Sequence, residues 1–80
     1  MADEIVNELR GFLRKLNVTD EHLDKDENVF AESVIDSLQA IDYLIMIEEK
    51  FGINVTMQTV TEQNLGRPSA MAHYLSQLVD

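Results

Sequence analysis

Between Asp36 and Gly52 the chain carries a helix start, a helix stop and apolar residues on helical spacing, which leaves little freedom to what surrounds them. Asp36 is a favoured N-cap type, and Gln39 three positions on completes a capping-box-like pair. Gly52, directly after Phe51, is the expected C′ residue. Ser37 to Phe51 therefore reads as one helix. At about 100° per residue, Ala40, Tyr43, Leu44, Ile47 and Phe51 share one broad face, the natural core stripe. Leu38, Ile41 and Ile45 fall nearly opposite and form a second, narrower stripe. Asp42 and Glu49 flank that stripe on one side and Glu48 on the other, while Gln39 and Met46 lie between the two faces. Such a helix is either buried nearly all round or turns one face to a partner. A chain of 80 residues has few elements with which to cover a second face. The pattern favours a docking surface, an apolar stripe in an acidic frame. It predicts a partner with an apolar groove edged by Arg and Lys.

The flanking segments predict a small all-α bundle of three main helices and one short one, with a long loop between helices 1 and 2, in a single domain over residues 1–80. Ile5, Leu9, Phe12 and Leu16 recur at three- and four-residue steps, with Val6 and Leu13 beside them, and set a first helix from Asp3 to Leu16. Asp3 and Glu4 at its start and Arg14 and Lys15 at its end suit the helix dipole, and Asn17 is a terminator. Val18 to Ile35 reads as a long connection with caps at Thr19 or Asp20, pinned to the core by Val29, Phe30 and Val34. Ile53 to Val60 reads as irregular, followed by a helical turn from Thr61 to Leu65 ending at Gly66. Pro68 opens the last helix, with Met71, Ala72, Leu75, Leu78 and Val79 as its apolar positions.

Charge narrows the function classes. The net charge is −9, and all of that excess falls between Asp20 and Glu49, where ten acids (Asp20, Glu21, Asp24, Asp26, Glu27, Glu32, Asp36, Asp42, Glu48, Glu49) face one base, Lys25. Such a field repels nucleic acid and favours basic protein partners, or serves as a solvated, solubilising surface. There is no cysteine, hence no disulfide, thiolate nucleophile or Cys-based metal site. The acidic run Asp20 to Glu27 lacks the glycine and spacing of an EF-hand loop. The longest apolar run, Tyr43 to Ile47, is far too short to span a bilayer, and Met1 to Arg10 has no secretory h-region. These features set the expectation of a cytoplasmic monomer with no membrane partner.

Ser37 sits in the first turn, where backbone N–H groups lack helical partners and the dipole is positive. A phosphodiester on that hydroxyl is favourably held there. His22 and His73 have no triad spacing to Ser37, so nothing activates it as a nucleophile. A serine that receives a group is easier to support than one that attacks. Ordinary capping beside Asp36 is the stronger reading of Ser37 taken alone, and an unmodified acidic helical adaptor remains the alternative function.

The segment Asp36 to Ile53, DSLQAIDYLIMIEEKFGI, resembles the second helix of acyl carrier proteins, whose Asp-Ser-Leu motif stands here as Asp36-Ser37-Leu38. The Ile47–Ile53 ending, the length, the acidity, the helix order, the long first loop and Tyr74-Leu75 extend the resemblance over essentially the whole chain. The resemblance implies a free-standing, non-catalytic carrier. Ser37 would take 4′-phosphopantetheine from coenzyme A, and the arm's thiol would hold acyl or aminoacyl groups as thioesters. It makes Asp36, Leu38, Ile41, Asp42, Ile45, Glu48 and Glu49 recognition residues. The implied partners are a phosphopantetheinyl transferase and loading and processing enzymes with basic docking patches; the magnesium belongs to the transferase reaction, with Asp36 helping to position it. Met46, Met57 and Met71 are adaptable side chains able to admit an acyl chain, or ordinary core filling. The chain departs from the commonest pattern at Val34, Gln39, Thr56 and Asn64–Pro68, which leaves fatty-acid, polyketide, aminoacyl, D-alanyl and lipid-modification pathways open.

Overall fold

A computed structural model describes residues 2–30 and 34–79. In chain order the helices are α1 (Ala2–Lys15), α2 (Asp20–Asp24), α3 (Ser37–Phe51), α4 (Met57–Gln63) and α5 (Pro68–Leu78). The described residues hold no strand, so the chain is all-α as expected. Glu32 and Ser33, in the long connection, lie outside the described residues.

α1 buries Ile5, Leu9 and Leu13, a strict four-residue ladder, while Val6, Phe12 and Leu16 pack at its edges. The expected stripe through Phe12 and Leu16 is thus centred one position off. The cause is that α1 lies chiefly along α5 and much less along α3. Asn17 ends the helix in the left-handed region at φ 71°.

The long connection is not all loop. Asp20–Asp24 form one helical turn that buries Leu23, with Thr19 in the cap position but making no side-chain cap bond. A single apolar residue among charged ones sets up no periodicity for a reader to find. Val29 is buried and Phe30 and Val34 pack against the core as expected. Phe30 meets Tyr43 with ring centroids 5.8 Å apart.

α3 has the expected bounds, with Asp36 as N-cap and Gly52 left-handed at φ 70° as its stop. α4 starts four residues before the expected turn. The Thr56 side chain accepts the Thr59 N–H at 3.2 Å and so fixes its start. Asn64, at φ 55°, ends it rather than Gly66. Gly66 serves a different purpose: its carbonyl accepts the Val29 N–H at 3.0 Å. A Cβ there would fall on the Asn28 side chain.

Pro68 opens α5, which buries Met71, Ala72 and Leu75. Leu78 departs from expectation, being 51 % exposed: it shares the face of Met71 and Leu75 but is the last residue of α5.

Candidate functional site

The site is built at the start of α3. Asp36 Oδ1 accepts the Gln39 N–H at 2.8 Å, and Gln39 Oε1 accepts the Asp36 N–H at 3.0 Å, so the capping box is closed in both directions. Ser37, the first residue of the helix, is exposed. The box does not engage the N–H groups of Ser37 and Leu38, which remain at the positive end of the helix. The hydroxyls of Ser69 and Ser76 are committed elsewhere, to Asp26 and to the His73 carbonyl. No such bond holds the Ser37 hydroxyl among the described residues.

Beside Ser37 lies a groove of about 280 Å³, walled by Phe30, Ile35, Ala40, Ile41 and Met57. Spacing along the chain did not announce this groove, because its walls come from three separate segments. Of the three methionines considered as adaptable, Met57 lines it, Met71 is fully buried in the core, and Met46 is half-buried on the other side of α3. Neither histidine lines the groove: His22 Nδ1 faces Glu27 Oε1 at 2.9 Å, and His73 lies near Gln77.

The two faces of α3 separate as the helical wheel requires. Ala40, Tyr43, Leu44 and Ile47 are buried, whereas Leu38, Ile41 and Ile45 are 74 %, 51 % and 46 % exposed. The helix is therefore not buried all round. Asp36, Asp42, Glu48 and Glu49 are exposed around that stripe.

The acidic excess divides into two groups. Asp24 and Asp20 pair with Arg10 and Arg14 of α1 at 2.8 and 2.9 Å, Glu21 with Lys25 at 3.5 Å, and Asp26 accepts from Ser69. Asp20 and Asp24 tie the connection to α1, and Asp26 ties it to α5. On α3, Glu48 accepts from Asn54 at 3.1 Å, while Asp42 and Glu49 have no protein partner among the described residues. No helix among the described residues is long and apolar enough to cross a membrane.

Compared with models of known families, residues 7–75 match the phosphopantetheine attachment site family. No curated protein and no solved structure gives a significant match. The family match runs from α1 into α5 and takes in the capped start of α3, its exposed serine and the groove beside it. The chain belongs to that family, the acyl-carrier-type proteins that bear a covalent 4′-phosphopantetheine.

Proposed function

We propose that Ser37 carries the phosphopantetheine arm and that the chain delivers acyl or aminoacyl groups between enzymes. The observation that carries the proposal is an exposed serine on the first residue of α3, its hydroxyl uncommitted among the described residues, inside the family match and next to an apolar groove. The site fits the group. Free first-turn N–H groups suit a phosphodiester anion, and Phe30, Ile35, Ala40, Ile41 and Met57 offer an apolar wall beside the attachment point.

In loading, Ser37 Oγ bonds to the coenzyme A phosphorus nearest the pantetheine and the diphosphate P–O bond breaks. The 3′,5′-ADP leaves, and the hydroxyl proton passes to a base supplied by the transferase. Once attached, the arm offers its terminal thiol for thioester formation. The chain's own residues then present the site. Leu38, Ile41 and Ile45 enter an apolar groove on the partner, and Asp36, Asp42, Glu48 and Glu49 meet Arg and Lys at its rim. A small apolar contact with electrostatic steering lets a carrier bind quickly and leave. On this reading the chain works as a monomer in the cytoplasm.

Intact mass before and after incubation with coenzyme A, magnesium and a broad-specificity transferase tests the proposal. The parent chain gains one phosphopantetheine and Ser37→Ala gains none. A folded parent that gains nothing, with a transferase proven on another carrier, would leave the unmodified adaptor as the better reading.

A further inference from the structure

Gln39 does more than close the capping box. Its Nε2 donates to the Leu16 carbonyl at 2.7 Å, reaching from the first turn of α3 to the end of α1. That carbonyl is available for a structural reason. α1 closes with the Val18 N–H donating to the Leu13 carbonyl and the Asn17 N–H to the Arg14 carbonyl, each at 3.0 Å, around the left-handed Asn17. These bonds use the carbonyls of Leu13 and Arg14 and leave that of Leu16 for an outside donor. Among the described residues, no other hydrogen bond joins the first turn of α3 to another part of the bundle. Gln39 is half-buried towards α1, whereas Ser37, two positions earlier, is exposed.

We propose that Gln39 is a positioning residue for the loading of Ser37. Its amide clamps the first turn of α3 to the end of α1 and so fixes where Ser37 Oγ stands for attack on phosphorus. The proposal rests on Ser37 being the attachment site. Only an amide of this length fills the role. A carboxylate keeps the acceptor for the Asp36 N–H, loses the donor and sets a negative charge against a carbonyl oxygen. A methionine keeps the length and loses both bonds. Misplacing a reacting atom by about 1 Å costs up to about a hundredfold in rate. One hydrogen bond of ordinary strength corresponds to about five-fold. The effect expected here lies nearer the second figure, because the turn keeps its helical bonds. It falls on the chemical step rather than on docking, because the exposed stripe is untouched.

The test compares parent, Gln39→Glu and Gln39→Met in single-turnover loading. Intact mass gives the rate at saturating transferase and the enzyme concentration for half-maximal rate. Both variants are expected to load about three- to ten-fold more slowly at saturation. Half-saturation stays at the parent's value or, for the added acid, falls below it. Faster amide hydrogen exchange at Ala40 should accompany the slower loading. Should Gln39→Met lose helicity, Gln39→Glu, which retains the box acceptor, carries the test alone. Saturating rates equal to the parent's overturn the proposal. So does a rise in half-saturation with the saturating rate kept, which would put Gln39 in the docking face instead. A parent that loads while both variants load equally well removes the clamp and leaves the attachment site standing; a parent that does not load removes both.

Discussion

Tyr43 stands on the core face of α3, fully buried, with its ring against Phe30 and its hydroxyl without a hydrogen-bond partner among the described residues. A buried hydroxyl so placed loses its hydration and gains nothing in exchange. Burial foremost, and then the negative charge of Asp26, push the phenol well above its ordinary value near 10. The folded chain therefore keeps this proton at a pH where the unfolded chain releases it. Ionisation of this phenol in the unfolded chain leaves stability untouched below about pH 10 and lowers it as pH rises further. Tyr43→Phe should raise the urea midpoint at neutral pH by the equivalent of about 1 kcal/mol. It should also flatten the alkaline loss of stability. Denaturant titrations at pH 7 and above pH 10 measure both effects.

At the scale of elements, α5 takes its cap from another part of the chain. Arg67 precedes it without a side-chain cap bond, and Asp26, left-handed at φ 52°, supplies the acceptor instead. The Ser69 N–H reaches Asp26 Oδ1 at 3.0 Å, and the Ser69 hydroxyl donates to the other oxygen. Asp26→Asn keeps one acceptor and tolerates the backbone; Asp26→Ala keeps neither. The alanine variant should lose about 1–2 kcal/mol by urea unfolding and the asparagine variant less. Amide exchange should quicken in the first turn of α5. This tie also marks where reading the sequence stops. α3 was legible to the residue because Asp36, Gln39 and Gly52 act within one turn of its ends, and its two apolar faces follow from spacing alone. α2 and α4 were missed or misplaced because each buries one residue, Leu23 and Val60, and one residue makes no period. The stripe of exposed residues could be assembled from the helical wheel. The groove beside Ser37, the Asp26–Ser69 cap and the Gln39–Leu16 clamp could not. Each joins segments whose approach only the folded chain decides.

At the scale of the molecule, one helix divides a buried core face from an exposed stripe, to which the proposed function assigns partner recognition. A domain of this size holds about 3–5 kcal/mol in reserve. Ile47→Ala, on the fully buried face, removes about 2–5 kcal/mol and should leave much of the chain unfolded at room temperature. Ile41→Ser, on the exposed face, should shift stability by no more than about 0.5 kcal/mol. It should weaken transferase docking, read as a higher half-saturation in loading with helicity kept. A matching loss of stability in both variants would place the exposed stripe in the core.

The pairing of Asp20 and Asp24 with α1 shapes more than the loop it holds. With those acids compensated locally, Asp42 and Glu49 stand on the α3 flank without a partner among the described residues, in a body measuring 31 × 24 × 20 Å. Such a body is a permanent electric dipole. Near a basic surface it experiences a torque before it experiences contact, and it turns its α3 flank forward while still separated by solvent. Much of the rotational search that any docking requires is then completed in transit, and the serine end of α3 comes round with the flank that bears it.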